Sequence, residues 1–166
     1  MDLFTWITEE TRNRDAVVEF GAMHGDKLMH AHVPTRIGIE IFEPYLREMR
    51  GNKEIKAVPG DFRHYEGLLT PAERDCAMFI DSLEHVTKDD ALNLLARVQK
   101  DFRKVIVFAP EGEHVQDAHS GNEWQEHKSF WTAGEFEALG FSVIVDPNFH
   151  ASMPTKGAIF AVWEAV

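Results

Sequence analysis

Four acidic side chains stand at or near the ends of successive short apolar runs in this 166-residue sequence: Glu19, Glu40, Asp61 and Asp81. Apolar runs of this length, bounded by turn residues, are typical of buried strands. In open α/β sheets the carboxyl ends of parallel strands meet at one edge, and ligands bind in the crevice there. Carboxylates at that edge can accept charge-assisted hydrogen bonds from hydroxyl and amino groups. The four acids therefore predict a ligand-binding crevice.

The first of these runs leads into two glycines spaced four residues apart, Gly21 and Gly25, within the segment 17–25 (VVEFGAMHG). Glycine lacks a Cβ atom and tolerates positive φ, so a ligand can approach the backbone closely at such a turn. If a helix begins after the turn, its unpaired N–H groups also face the ligand. The segment predicts a buried strand followed by a tight turn that forms one wall of the crevice.

Histidine is the other residue type that can carry chemistry here, because its ordinary pKa lies close to neutrality. The sequence has nine histidines. His85 follows the fourth predicted strand, and His127 lies in a long segment without periodicity. Either could accept a proton from a substrate as a general base. The alternative for His85 is helix capping or packing, and the alternative for His127 is plain solvation.

A metal site is not predicted from the sequence. The candidate ligands are His114, His119 and His127, which are separated by five and eight residues. These spacings match no zinc signature, so we expect solvated loop histidines.

The charge balance limits the classes of function. With 17 Lys plus Arg against 28 Asp plus Glu, the formal net charge is −11 at pH 7. Phosphate contacts supply most non-specific affinity for nucleic acids, so we expect no nucleic-acid partner and favour a neutral or cationic small substrate. No run approaches the roughly 20 apolar residues that span a bilayer, and residues 1–15 lack the pattern of a secretory signal. We predict a cytoplasmic protein without a membrane partner.

The length and the cysteine content point to one self-sufficient domain. At 166 residues and 44% hydrophobic content, the chain can bury a core without covalent cross-links. Its one cysteine, Cys76, excludes an intrachain disulfide and indicates a reducing compartment. The thiol adjoins an apolar run, so we expect it to pack as a small hydrophobic side chain.

The order of predicted elements determines the expected fold. Strands are predicted at 16–20, 36–41, 54–58, 76–80, 104–109, 141–145 and 158–163, and helices at 3–12, 26–32, 44–50, 88–102 and 133–139. Strands and helices alternate until the last two strands, which should pair antiparallel because no helix separates them. This arrangement predicts a single α/β domain over residues 1–166. It is a three-layer α/β/α sandwich, with a mostly parallel seven-stranded sheet and one antiparallel edge strand.

Two helix starts carry capping signals. Thr87 precedes Asp89 and Asp90, whose negative charges suit the first turn of a helix. Thr132 and Glu135 have the spacing of a capping box. Both signals predict where a helix begins.

Residues 111–130 have no clear period and are rich in His, Glu, Gly and Asn. Segments of this length without secondary structure are uncommon in compact domains and are usually functional lids or disordered. Three aromatic residues in or beside the segment could line a substrate site: Trp124, Phe130 and Trp131. Alternatively, Trp131 packs the following helix onto the core.

These residues, in this order, resemble the class I S-adenosylmethionine-dependent methyltransferases across almost the whole chain. Segment 19–25 is similar to that family's acid-x-Gly-x-Gly-x-Gly motif, and Glu40 falls at the position of its ribose-binding acid. Segment 60–62 (GDF) resembles the adenine-binding segment, and segment 75–86, with Asp81, resembles the fourth motif. The stretch 130–141 is similar to the tail of many members that act on small molecules.

The resemblance implies a Rossmann-like fold, S-adenosylmethionine as the cofactor, and transfer of its methyl group to a small-molecule acceptor such as an oxygen of a sugar or metabolite. It leaves His85 and His127 as the catalytic candidates. The cofactor-binding residues that it implies are Glu19, Gly21, Ala22, Met23, Gly25, Glu40, Asp61, Phe62, Asp81 and Ser82.

The motif departs from the family pattern at Met23, which replaces the middle glycine. A methionine side chain is flexible, so it can lie aside from the cofactor or pack on it. It can also fill the site and weaken binding. An alternative function is therefore a non-catalytic S-adenosylmethionine-binding partner protein with a degraded site, whose acidic surface contacts another protein.

Overall fold

The computed structural model describes residues 1–118, 121–150 and 157–166. Within these residues it contains seven β-strands and four α-helices. The strands are β1 (Ala16–Phe20), β2 (Thr35–Glu40), β3 (Lys56–Pro59), β4 (Cys76–Ile80), β5 (Lys104–Pro110), β6 (Ser142–Asp146) and β7 (Ala158–Glu164). The helices are α1 (Leu3–Glu10), α2 (Glu43–Met49), α3 (Lys88–Asp101) and α4 (Ala133–Ala138).

The seven strands form one sheet in the order β3-β2-β1-β4-β5-β7-β6. The first five strands run parallel to one another, and β7 runs antiparallel to both of its neighbours. This confirms the mostly parallel seven-stranded sheet and the antiparallel pairing of the last two strands. The antiparallel strand β7 pairs along the whole of β5 and so lies one position in from the edge, which is formed by β6.

Helices cover both faces of the sheet, as the predicted three-layer sandwich requires. On one face, α3 and α4 bury Leu94, Val98 and Phe136 in a core with the strands. On the other face, α1 and α2 bury Trp6 and Met49 in a second core. All five residues of β4 are buried, as expected for a central strand between the two layers.

Local capping signals agree with the structure. The Thr87 side chain accepts a hydrogen bond from the Asp90 N–H at 3.2 Å, and Thr132 with Glu135 forms a complete capping box. The helix predicted at 26–32 is instead a single 3₁₀ turn, Lys27–His30, because only a few residues separate the glycine turn from Pro34. Among the described residues, no helix is both long and apolar enough to cross a bilayer.

The parallel arrangement brings the predicted acids to one edge of the sheet. The turns after β1, β2, β3 and β4 all open at the carboxyl end of the sheet, because these strands are parallel neighbours. Gly21, Glu40, Asp61 and Asp81 lie there. The chain order reverses direction between β1 and β4, which is the switch point at which α/β sheets form a crevice.

Candidate functional site

A cavity opens at this switch point, and we call it the strand-end cavity. It is lined by seven of the ten residues predicted to bind a cofactor and by one of the two candidate catalytic histidines. Its lining residues are Gly21, Met23, Glu40, Ile41, Asp61, Phe62, Arg63, Asp81, Ser82, His85, Val86, Trp124 and Gln125.

Gly21 is one of the residues that line the strand-end cavity. Its φ is +80°, and its N–H donates to the Ile39 carbonyl at 3.0 Å. A Cβ atom at this position would lie 3.1 Å from the Ser82 Cβ and 3.5 Å from the Phe62 ring. Glycine is therefore favoured by the positive φ, and a Cβ atom would also be tight against the Ser82 side chain.

Glu40 ties the glycine turn to the end of β2. Its side chain is buried, and its two carboxylate oxygens accept hydrogen bonds from the Met23 and Phe42 N–H groups, both at 2.8 Å. Burial raises the pKa of this carboxyl group, and the backbone N–H donors oppose that shift. Each carboxylate oxygen has a second lone pair, so the held carboxylate can still accept from ligand hydroxyls.

Asp61 is held by the residue that follows Phe62. Its carboxylate accepts from the Arg63 backbone N–H at 2.9 Å and from the guanidinium at 2.6 Å. Burial opposes ionisation of Asp61, but the Arg63 guanidinium outweighs it and lowers the pKa. Asp61 therefore stands at the cavity wall as a charged acceptor whose orientation is fixed by Arg63.

Met23 adopts a left-handed backbone conformation, with φ of +49°. Such a conformation costs a non-glycine residue about 1 kcal/mol or more and needs support from its surroundings. The support here is the hydrogen bond from the Met23 N–H to Glu40. The Met23 side chain lines the cavity, so its replacement of the family's middle glycine changes the shape of the wall.

Three residues predicted to bind a cofactor do not line the strand-end cavity. At Gly25 a Cβ atom would lie 2.6 Å from Ile55 and 3.2 Å from Met49, so the missing side chain makes room for core packing, and a cofactor contact at Gly25 stays a prediction. Ala22 is also buried in that core. Glu19 lies inside β1, with 1% of its surface exposed.

Glu19 is a buried acid without a hydrogen-bond partner from another described residue. Burial raises its pKa from 4.5 to about 8, against the opposing charge of Lys27 and with a further contribution from Glu40. The carboxyl group is therefore largely protonated in the folded protein at neutral pH.

This raised pKa predicts a pH-dependent change in stability. A folded-state pKa above the unfolded value contributes stability below about pH 4.5, and that stability is lost as the pH rises towards 8. The quantity to compare is the free energy of unfolding of Glu19→Gln minus that of the wild type. This difference should rise by roughly 2 to 4 kcal/mol when the pH is raised from about 5 to about 8. Urea denaturation at both pH values measures this change. The exposed Glu137→Gln variant is the control. If Glu19→Gln differs from the wild type by the same free energy of unfolding at both pH values, the raised pKa of Glu19 is contradicted.

Asp81 follows β4 and borders a second cavity beside the first. Its φ is +48°, and its N–H donates to the Phe108 carbonyl at 3.0 Å. Burial raises its pKa to about 6, and the Lys27 charge opposes the shift. The second cavity, called the histidine cavity, is lined by Met23, Lys27, Asp81, Glu84, His85, Pro110, His114, Gln116, Gln125, His127 and His150.

The two candidate catalytic histidines are brought together at the histidine cavity. The ring centroids of His85 and His127 lie 4.9 Å apart. Burial lowers the pKa of His85 to about 4, helped by the nearby His127, and burial also lowers the pKa of His127. Of the histidine set considered in the sequence, His114 lines the same cavity, whereas His119 lies outside the described residues.

Glu84 is the residue of this cluster that sequence reasoning missed. Its side chain is 2% exposed, and neither carboxylate oxygen has a hydrogen-bond partner from another described residue. Its pKa is raised, first by burial and then by the Asp81 charge. A ligand atom from each of Glu84, His85 and His127 lies within 4.8 Å of the other two. The only sequence signal was the adjacency of Glu84 to His85, three residues after Asp81.

The described parts of the segment 111–130, residues 111–118 and 121–130, pack over this site with little regular structure. The Lys128 and Ser129 N–H groups donate to the Glu84 carbonyl at 2.7 and 3.1 Å, and the His127 N–H donates to the Gln116 carbonyl at 2.9 Å. A short 3₁₀ turn, Glu123–Gln125, brings its residues to the strand-end cavity. The segment therefore supplies part of both cavity walls.

The three aromatic residues considered for a substrate wall have different positions. Trp124 lines the strand-end cavity, and Phe130 is exposed. Trp131 is 1% exposed and stacks on Phe136 with ring centroids 4.9 Å apart. Trp131 thus packs α4 onto the core, which was the alternative to a substrate contact.

Comparison with known proteins identifies the fold. No protein-family model matches the chain, and no curated protein matches it. The solved structure of the small RNA methyltransferase HEN1 superposes with a TM-score of 0.70 at 16% sequence identity. The superposition covers 98% of this chain and 24% of the HEN1 chain, so this chain spans about a quarter of that protein. The N-terminal domain of EvdMO1, solved with SAH and D-fucose, superposes with a TM-score of 0.69 at 16% sequence identity, and the match covers 100% of this chain and 84% of the EvdMO1 chain. CalS10, a SAM-bound amino pentose methyltransferase from Micromonospora echinaspora, superposes with a TM-score of 0.61 at 11% sequence identity. This match covers 97% of this chain and 88% of the CalS10 chain. The chain therefore has the class I S-adenosylmethionine-dependent methyltransferase fold.

Proposed function

We propose that this protein is a methyltransferase that uses S-adenosylmethionine to methylate an oxygen of a small-molecule acceptor. The observation that carries the proposal is Glu40, a buried carboxylate fixed by two backbone N–H groups beside the Gly21 turn. This is the arrangement needed to accept hydrogen bonds from both hydroxyls of a ribose at the switch point of the sheet.

The other cofactor contacts follow from the position of the ribose. Asp61 and Phe62 line the strand-end cavity, and in this proposal the Asp61 carboxylate and the Phe62 backbone N–H bind the adenine ring. The methionine portion of the cofactor would then extend past Gly21 towards Asp81 and Ser82. The solved neighbours with bound SAH or SAM, such as EvdMO1 and CalS10, support this choice of cofactor.

Methyl transfer from a sulfonium mainly requires alignment. The donor is already activated, so the protein has to hold the acceptor oxygen, the methyl group and the sulfur in line and exclude water. An acceptor hydroxyl must also lose its proton. The groups positioned to assist lie around the histidine cavity, which shares Met23, Asp81, His85 and Gln125 with the strand-end cavity.

The charge of the chain supports a small acceptor that carries no phosphate chain. The net charge is −11, and the two cavities are lined by four acids, Glu40, Asp61, Asp81 and Glu84, against two cations, Lys27 and Arg63. A polyanion would be repelled by this surface. Among the neighbours, CalS10 is named for an amino pentose, whereas HEN1 is named for small RNA. We also propose a cytoplasmic location, in keeping with the single buried thiol.

Met23 favours a second candidate function, that of a non-catalytic S-adenosylmethionine-binding protein. Its side chain lines both cavities and occupies the wall at which the family carries glycine. In that case the cofactor would bind but no methyl group would leave it. The two functions differ in turnover rather than in binding.

Isothermal titration with S-adenosylmethionine and S-adenosylhomocysteine tests the cofactor site. We expect one bound molecule per chain, with a dissociation constant well below 1 mM. The absence of heat at millimolar ligand would overturn both functions. If binding is present, release of S-adenosylhomocysteine in the presence of a panel of sugars, polyols and a short single-stranded RNA separates the enzyme from the non-catalytic protein. Turnover with the RNA alone would overturn the small-molecule acceptor.

A further inference from the structure

Glu84, His85 and His127 form a compact cluster of metal-ligating groups beside the proposed methyl-transfer site. A carboxylate oxygen of Glu84 and one ring nitrogen of each histidine lie within 4.8 Å of one another. Glu84 and His85 come from the turn after β4, and His127 comes from the segment that packs over that turn. The three donors therefore converge from two separate parts of the chain.

Glu84 is the feature that points to a bound cation. The side chain is 2% exposed, and neither oxygen has a hydrogen-bond partner from another described residue. A buried carboxylate without a partner is costly, and such groups are normally paired or coordinate a metal. The acidic neighbour Asp81 lines the same cavity and increases the negative potential.

The two histidines are oriented by backbone carbonyls. The His127 Nδ1 lies 2.6 Å from the His114 carbonyl, and the His85 Nδ1 lies 3.3 Å from the Glu126 carbonyl. A ring whose Nδ1–H donates to a carbonyl keeps its Nε2 lone pair for a metal, and metal-binding histidines are typically held in this way. With Nδ1–H as the donor in each ring, both imidazoles would present a neutral Nε2 to a cation.

We propose that Glu84, His85 and His127 bind one divalent transition-metal cation. Two imidazoles and one carboxylate suit ions such as Mn²⁺, Co²⁺ or Zn²⁺ better than Mg²⁺, which prefers oxygen ligands. Three protein ligands leave further coordination positions open towards the histidine cavity. In this site the two histidines act as metal ligands, which replaces the general-base role predicted from the sequence.

The proposed cation gives the methyl transfer a way to activate its acceptor, and this step rests on the proposed function. An acceptor hydroxyl bound to the cation would have a lowered pKa, so its O–H bond breaks and the proton passes to solvent water. The oxygen lone pair then forms the new C–O bond while the C–S bond breaks. The C–S electron pair stays on sulfur, so the sulfonium becomes a neutral thioether.

Titration of the metal-free, full-length protein with Co²⁺ alone tests the site without any activity measurement. We expect one Co²⁺ per chain, seen as visible absorption bands of a nitrogen- and oxygen-ligated ion. Glu84→Gln and His127→Gln should each weaken binding more than about 100-fold, beyond the 10- to 100-fold expected for loss of an outer partner. The matched control is His64→Gln, which removes an exposed histidine far from the cluster in sequence and should leave Co²⁺ affinity unchanged.

Three outcomes would overturn the cation site. These are no stoichiometric Co²⁺ binding by the wild type, binding that persists in both cluster variants, and equal loss in His64→Gln. Circular dichroism of every variant establishes that it is folded, and His127→Gln, which changes the less buried ligand, covers the case in which Glu84→Gln does not fold.

Titration of S-adenosylhomocysteine into the same samples separates this inference from the proposed function. Cofactor binding without Co²⁺ binding would remove the cation site and leave the methyltransferase proposal standing. Co²⁺ binding without cofactor binding would remove the methyltransferase proposal and leave the cation site standing.

Discussion

Replacing Glu40 with alanine is expected to weaken the binding of S-adenosylhomocysteine by about 1.5 to 3 kcal/mol, which is roughly 10- to 150-fold. The loss arises because the carboxylate would no longer accept hydrogen bonds from the ribose hydroxyls. It would also no longer hold the Met23 and Phe42 N–H groups at 2.8 Å, so the glycine turn would be less rigid. Isothermal titration of the folded variant measures the change.

A ligand lacking one hydroxyl separates the ribose contact from the effect on the turn. The 2′-deoxy analogue of S-adenosylhomocysteine should bind more weakly than the parent compound to the wild type but about equally to Glu40→Ala. The exposed Glu137→Ala, on α4, is the control for a change of charge elsewhere. If the analogue is discriminated equally by both proteins, the ribose does not lie at Glu40.

Trp131→Ala should destabilise the protein by about 3 to 5 kcal/mol, the usual range for removing a fully buried large aromatic side chain. Trp131 is 1% exposed and stacks on Phe136, and the Lys88 ammonium lies 3.7 Å from its ring centroid. The variant leaves a cavity that the surrounding core can fill only in part. Urea denaturation monitored by circular dichroism measures the loss.

Trp124→Ala is the matched control, because Trp124 comes from the same part of the chain but is only half-buried at the strand-end cavity. We expect this variant to lose less than about 1 kcal/mol of stability, as is usual for surface substitutions. Similar losses for the two variants would show that Trp131 does not hold α4 on the core. The Gly112 N–H donates to the Trp131 carbonyl at 2.7 Å, so loss of packing at Trp131 should also loosen the segment that carries His127.

The elements and most of the crevice could be predicted because they depend on local patterns. The N-cap at Thr87 and the capping box at Thr132 each join residues only three positions apart, and the structure shows both. Glu40, Asp61 and Asp81 could be assigned to one crevice because parallel strands present their carboxyl ends at the same edge. The resemblance to a known family then supplied an order for these acids, and the fold agrees with it.

The helix predicted at 26–32 is shortened by a local cause, Pro34, whereas the other exceptions depend on contacts between distant parts of the chain. Gly25 has the spacing of a cofactor-binding glycine, yet the space beside it is filled by Ile55 and Met49. The sequence could not indicate this, because residues more than twenty positions away decide which side of a turn is packed and which side is open.

The metal-ligating cluster is the clearest case of a feature that the sequence alone did not determine. His127 is 43 positions from Glu84, and α3 and β5 lie between them in the chain. They meet because the Lys128 and Ser129 N–H groups donate to the Glu84 carbonyl and fold the long segment back over the turn after β4. By itself, the sequence determined the elements, the sheet and the acids at its edge, since periodicity and capping act over a few residues. Only the tertiary structure decided that a buried Glu84 without a hydrogen-bond partner faces two histidines, because long-range hydrogen bonds and packing bring those side chains together.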